Sequence, residues 1–291
     1  MQDTCLWIFN KRTGERLAGF GLKGRGPGEL LFPSPISYDR DNRLLVVFEA
    51  NLNKIIRYDL GKVLSGAGDF YSEIRLNPRE MFGEKPNFIS DARPYKEAYM
   101  IRSKTDQMRF GILGHDGKAK TMYTRFLPLV EDKEENWALF SYSTQWAIKP
   151  DQTKMVYATY IGGVMEIFNI NEERFALDTA CYFYEPIYSP SEGVVPKWLV
   201  TRDETIVGFE RVDATDDYIY ALVVGEAYPP DAVESRKKLF VFDWNGNAYK
   251  QYVFPPGIRP ESVAVDEEQG CIYAIVVKDG LTEFLCKFSI K

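Results

Sequence analysis

The chain has 291 residues, 42 acidic and 36 basic, with 45% apolar and 27% charged side chains. These values exclude a mostly disordered chain, and a net charge of -6 excludes the basic excess that marks a nucleic-acid binder. A chain this long buries about three quarters of its unfolded surface, so no metal or disulfide is needed to hold a core.

Short β-branched and aromatic runs recur from end to end, divided by Asn, Asp, Gly and Pro, and helical periodicity is hard to find. The first run, Leu6-Trp-Ile-Phe-Asn10, ends on an aromatic and an Asx residue and is followed by Arg16-Leu-Ala-Gly-Phe20. Four-run sets then follow at 36–39, 44–48, 55–59 and 73–76; at 88–91, 98–101, 110–117 and 121–124; at 146–148, 155–158, 165–169 and 181–184; and at 212–213, 218–224, 239–243 and 249–254. The last set, 262–266, 271–277 and 283–288, stops at its third run. Asp116-Gly117 and Asn245-Gly246 supply the positive-φ residues of tight hairpin turns.

The repeat predicts five first strands, five second, six third and five outer, in units of about 50 residues. A four-stranded antiparallel unit repeated about an axis is a β-propeller blade. The expected fold is therefore all-β, a single β-propeller domain over residues 1–291 of the six-bladed type, with five full repeats plus an incomplete N-terminal blade. A large β-sandwich is the structural alternative.

Several chemistries are excluded or weakened by residue type. The single histidine, His115, sits in the tight turn Gly114-His-Asp-Gly117, so no Ser-His-Asp hydrolase and no histidine-ligated metal is expected. Cys5, Cys181, Cys271 and Cys286 form no Cys-x-x-Cys pair, which argues against zinc. Cys271 and Cys286 fall on neighbouring strands, as a cross-strand disulfide or as buried thiols. No apolar run approaches the roughly 18 residues of a membrane helix, and the first residues carry no signal-peptide pattern. Gly24-Arg-Gly-Pro-Gly28 is read as a structural turn, not a phosphate cradle, because its proline removes a donor and no Gly-Lys-Ser/Thr follows.

Gly21-Leu-Lys-Gly-Arg-Gly-Pro-Gly-Glu29, after an outer strand and before Phe32-Pro33, resembles the inter-blade loop of NHL-type and TolB-like six-bladed propellers. The stretch from Trp7 to Phe20 leading into it is similar to uncharacterised six-bladed propeller proteins of Bacteroidetes. The resemblance is close over residues 3–60 and otherwise rests on blade pattern. It implies a periplasmic or cell-surface location and carries no catalytic residues.

Propeller topology sends second-to-third and blade-to-blade connections to one face and the other turns to the opposite face. The long segments 21–33, 76–87, 127–140, 185–204 and 227–238 fall on the first face, which is the expected binding surface. The binding candidates there are Arg25, Glu29, Trp137, Tyr188, Trp198 and Tyr228, whose amphipathic aromatics suit a glycan, another small molecule or a protein segment. Trp7, Trp146 and Trp244 are expected in the core. The leading expectation is a non-enzymatic extracytoplasmic binding module without a cofactor. The alternative is a calcium-type metal-dependent hydrolase or lactonase, with Glu49, Asn51, Asn87 and Glu261 as candidate ligands. The acidic run Glu131-Asp-Lys-Glu-Glu135 lacks calcium-loop spacing and is read as a solvated turn.

Overall fold

The computed structural model describes residues 3–33, 35–82, 89–103, 108–123, 144–171, 174–185, 187, 189–190, 199–200, 203–228, 237–278 and 282–290. The chain forms two compact units, Met1–Glu134 and Glu135–Lys291.

Unit 1 opens with the hairpin β1 (Thr4–Phe9) and β2 (Arg16–Leu22). Two four-stranded antiparallel sheets follow, each a meander of sequential neighbours: β3 (Ile36–Asp39), β4 (Leu44–Glu49), β5 (Lys54–Asp59) and β6 (Tyr71–Arg75), then β7 (Ile89–Tyr95), β8 (Ala98–Ser103), β9 (Phe110–Gly114) and β10 (Ala119–Tyr123). Helix α1 (Leu60–Ser65) joins β5 to β6, and α2 (Pro78–Phe82) follows β6.

Unit 2 holds β11 (Thr144–Ile148), β12 (Lys154–Thr159), β13 (Val164–Ile170) and β14 (Phe175–Tyr182), then the short hairpin β15 (Ser189–Pro190) and β16 (Leu199–Val200). A further four-stranded sheet comprises β17 (Ile206–Ala214), β18 (Tyr218–Ala227), β19 (Lys238–Asp243) and β20 (Ala248–Val253). The last sheet has three described strands, β21 (Arg259–Asp266), β22 (Cys271–Lys278) and β23 (Thr282–Ser289). The first strand β17 contacts the first strands β11 and β21 of the sheets before and after it, as successive blades require. The predicted tally of first, second, third and outer strands is met, with β1 and β23 as the opening and closing third strands.

Burial follows strand position. In the four-stranded sheets the second and third strands carry the core; β4, β8, β9, β12 and β13 are nearly continuous buried runs. Outer strands are mostly half-buried or exposed, and β10 alternates between the two along its length.

Three details differ from the expectation. Helix α1 was not anticipated, although Asp59 accepts the Lys62 N–H at 3.1 Å as its N-cap and Gly66, at φ 73°, ends it. It lies in a third-to-fourth connection, so the short-turn end of the sheets is not uniformly plain. The outer strand expected at 181–184 begins at Phe175, because Asn171 and Arg174 close a tighter turn than the sequence suggested. Trp146 and Trp244 are core residues, but Trp7 is 45% exposed and lies beneath the Arg16 guanidinium at 4.6 Å, on a hairpin of only two described strands. Of the two readings offered for Cys271 and Cys286, free thiols hold: Cys271 faces Ser289 and Cys286 faces Ala274, so the pair is out of register and all four cysteines are free.

Candidate functional site

In unit 1 the glycine-rich loop is fastened by buried charges. Glu49, the last residue of β4, is fully buried. Its Oε2 accepts N–H bonds from Leu31 at 2.8 Å and Phe32 at 2.7 Å, and its Oε1 accepts from Asn51 at 3.2 Å. Lys54, the first residue of β5, is buried; its ammonium donates to the Gly26 carbonyl at 2.9 Å and pairs with Glu73 at 3.3 Å. Glu73 also accepts the Gly28 N–H, and the Tyr58 hydroxyl donates to the Gly28 carbonyl, both at 3.1 Å. Glu29 folds back to accept the Gly26 N–H at 2.8 Å. Gly28 has φ 68°, and a Cβ there would lie 2.6 Å from the Tyr71 ring, so the position needs glycine twice over. Partial burial works against the Glu73 carboxylate, but the Gly28 N–H, Arg75 and Lys54 together hold its pKa below the ordinary 4.5.

Thus Glu49 ties the loop to the sheet, Glu29 braces the loop on itself, and Asn51 gives its N–H to Glu49. Arg25, in the same loop, is exposed.

Unit 2 carries a second polar cluster at the long-loop end of its sheets. Lys237, immediately before β19, is almost fully buried. Its ammonium pairs with Glu210 at 2.6 Å and Glu261 at 3.1 Å and donates to the Pro260 carbonyl at 3.0 Å. Arg259 Nε pairs with the same Glu261 oxygen at 3.1 Å. Both carboxylates stand where a first strand slips register: Glu210 between the pairs Phe209↔Val223 and Arg211↔Leu222, Glu261 between Pro260↔Val276 and Ser262↔Ile275. Such bulges re-aim a side chain that regular pleating would send elsewhere. Tyr160 belongs to the same cluster. Burial raises its hydroxyl pKa, and Glu210, Tyr228 and Glu261 add to the shift while Arg259 opposes it.

Beside this cluster lies an apolar crevice of about 110 Å³, lined by Gly163, Phe183, Tyr184, Phe209, Val223 and Phe242 among others. The turn between β12 and β13 joins the two features, since Tyr160 serves the cluster and Gly163 the crevice. That turn docks on β17 through Gly208 N–H to Tyr160 O at 2.6 Å and Gly162 N–H to Ile206 O at 3.0 Å. Gly208 packs backbone to backbone against Gly163, with no room for a Cβ. Phe183 bonds Gly163 O through its own N–H and meets Phe209 and Phe242 at ring distances of 5.7 and 5.6 Å. It remains 44% exposed, so the crevice has an aromatic, solvent-reachable wall.

Of the predicted site residues, Tyr228 and Glu261 fall in this unit 2 cluster, and Tyr228 is exposed beside it. Trp137, Tyr188, Trp198 and Asn87 lie outside the described residues. His115 rests edge-on to the Tyr99 ring at 5.1 Å. Among the described residues no group of three His, Cys, Asp or Glu side chains is arranged to hold a metal ion. Sequence reasoning missed Tyr160, Glu210 and Arg259 and did not single out Lys237. No local signal marked them, because the directions of the Glu210 and Glu261 side chains depend on the strand bulges.

A family model described as TolB-like 6-blade propeller-like matches residues 5–268. No curated protein sequence matches the chain significantly. Among solved structures, a member of the DUF4221 family from Bacteroides vulgatus is similar at TM-score 0.61 and 12% identity, over 97% of this chain and 85% of that one. The periplasmic gluconolactonase PpgL of Pseudomonas aeruginosa is similar at TM-score 0.53 and 8% identity, over 98% and 76%. A candidate exported protein of Bacteroides fragilis gives TM-score 0.53 and 11% identity, over 92% and 73%. The chain belongs to the TolB-like six-bladed propeller-like family, and its four-stranded antiparallel sheets are propeller blades.

Proposed function

We propose that this TolB-like propeller is a non-enzymatic, extracytoplasmic binding module whose unit 2 takes a ligand at the long-loop end. The ligand it suits has hydroxyl or carboxylate groups for Arg259, Glu261 and Tyr228, and an apolar face for the crevice at Phe183. A glycan or a short peptide segment has that character. One observation carries the reading: two separate first-strand bulges each bring a carboxylate to the buried Lys237, next to an open apolar crevice.

The same observation weighs against the metal-dependent hydrolase. The Lys237 ammonium occupies the position between two carboxylates that a divalent cation would need, and Glu49 has committed both oxygens to backbone N–H groups. The exported and periplasmic descriptions of two structural neighbours support an extracytoplasmic setting. Among the described residues no helix is long and apolar enough to cross a membrane.

The test is a glycan and peptide array probed with the wild-type chain and with Arg259→Ala, Tyr228→Ala and the Trp137→Ala/Trp198→Ala pair, each checked for native circular dichroism. The reading expects a defined class of hits that Arg259→Ala weakens at least tenfold. Turnover of lactones or esters that follows added calcium and is lost with chelator would replace it with the hydrolase.

A further inference from the structure

We propose, on the reading that unit 2 binds a ligand at its long-loop end, that the site takes an uncharged sugar and turns away acidic sugars and other carboxylates. The starting observation is how the polar atoms of the cluster are committed. A lysine ammonium has three N–H bonds to give and accepts none. The Lys237 ammonium faces three acceptors, Glu210 at 2.6 Å, Glu261 at 3.1 Å and the Pro260 carbonyl at 3.0 Å, and its side chain is 2% exposed. No proton is left for a ligand. Arg259 turns the same way, its Nε held 3.1 Å from Glu261 Oε1. Arg211, next along β17, donates to the Glu210 carbonyl at 2.8 Å.

Glu261 is committed through one oxygen only. Its Oε1 takes both Lys237 and Arg259, whereas Oε2 has no hydrogen-bond partner among the described residues, and the side chain is 35% exposed. A carboxylate oxygen only accepts. A ligand group that meets it must donate, as a hydroxyl or an ammonium does and a carboxylate does not. Charge separates the two donors. Glu210 and Glu261 already balance Lys237 and Arg259. An incoming carboxylate would stand beside Glu261, and an incoming ammonium would stand beside Arg259 and Lys237. A hydroxyl meets neither repulsion. The rings complete the match. Tyr160 lies near enough to Glu210, Glu261 and Tyr228 for each to act on its hydroxyl, and Tyr228 is exposed. A pyranose carries hydroxyls on its edge and C–H groups on its faces, so it suits an acceptor with an amphipathic ring beside it.

The test is isothermal titration of the full chain with methyl glycosides of glucose, galactose and mannose, with the matching uronic acids and with the matching 2-amino sugars. It is repeated on Tyr228→Ala and Glu261→Gln, each with native circular dichroism. The proposal expects a neutral glycoside to bind, its uronic acid to bind roughly tenfold or more weakly, and Tyr228→Ala to abolish binding of the neutral sugar. It expects Glu261→Gln to narrow the gap by raising affinity for the acidic sugar, because the repelling charge is gone while the shape of the side chain remains. A ratio of two affinities is not imitated by partial loss of folded protein. Acidic or amino sugars bound as tightly as neutral ones, and lost in Tyr228→Ala, would overturn the proposal and leave the binding site standing. So would peptide hits that depend on Arg259 when no sugar binds. Neither sugar nor peptide bound at this site would overturn both the sugar preference and the binding reading beneath it.

Discussion

The buried ammonium of Lys237 stands 2.6 Å from the carboxylate of Glu210, tying the head of a third strand to the first strand of its own sheet. Through Glu261 the same ammonium reaches the first strand of the next sheet. Unit 1 uses a related device at the corresponding strand position, where Lys54 heads β5 and pairs with Glu73 while holding the Gly26 carbonyl.

Removing one partner of such a cluster should cost more than removing two. Lys237→Met leaves two carboxylates facing each other and is expected to lower stability by about 3 kcal/mol. Adding Glu210→Gln should recover part of that loss, because it removes one of the uncompensated charges. Urea denaturation of both variants measures the difference. Equal or greater loss in the double variant would show that the ion pair is not what holds the two strands.

The Glu73 carboxylate makes a pH-dependent contribution. Its folded pKa lies below the ordinary 4.5, so its contribution is fully present above that value and is lost as pH falls through the depressed folded value. Glu73→Gln is therefore expected to destabilise the chain by about 2 kcal/mol near pH 7. The gap from wild type should close as pH falls below the ordinary 4.5 and through the depressed folded value. Thermal melts at a series of pH values follow it, and a gap that widens in acid would have the wrong sign.

Gly208 should tolerate no side chain. Its backbone rests on that of Gly163, and the contact positions the Tyr160 turn on β17. Gly208→Ala must push the turn away from the strand and is expected to cost about 3 kcal/mol, within the range of overpacked sites. It should also weaken any ligand that uses the crevice. A variant of wild-type stability would mean that the turn adjusts freely.

The cap of α1 offers a smaller, local test. Asp59→Ala removes the acceptor of the Lys62 N–H and should cost about 1 kcal/mol. Hydrogen exchange should report the change first in the amides of α1.

The strand repeat was legible because it rests on local signals. Leu239–Asp243 shows this: an apolar run ends at Asp243, whose side chain then accepts N–H bonds from Asn245 and Asn247 to turn the chain. Helix α1 was legible in the same way, from Asp59 and Gly66, and was overlooked because only six residues lie between its caps. The candidate site was not local. The Gly28–Glu73 bond spans 45 residues and the Lys237–Glu261 pair spans 24. A sequence marks a lysine in a polar loop as solvated, and only the strand bulges at Glu210 and Glu261 make it a buried partner. The GRGPGE loop was read correctly as a turn, but its fastening by Glu49, Lys54 and Tyr58 follows from tertiary contacts alone.

The most direct measurement is a crystallographic soak of the wild-type chain with a panel of monosaccharides and dipeptides. Bound density within hydrogen-bond distance of Arg259 and Glu261, with an apolar face towards Phe183, is the predicted result. Compounds that bind only elsewhere, or a metal ion seated between Glu210 and Glu261 with Lys237 displaced, would contradict the account.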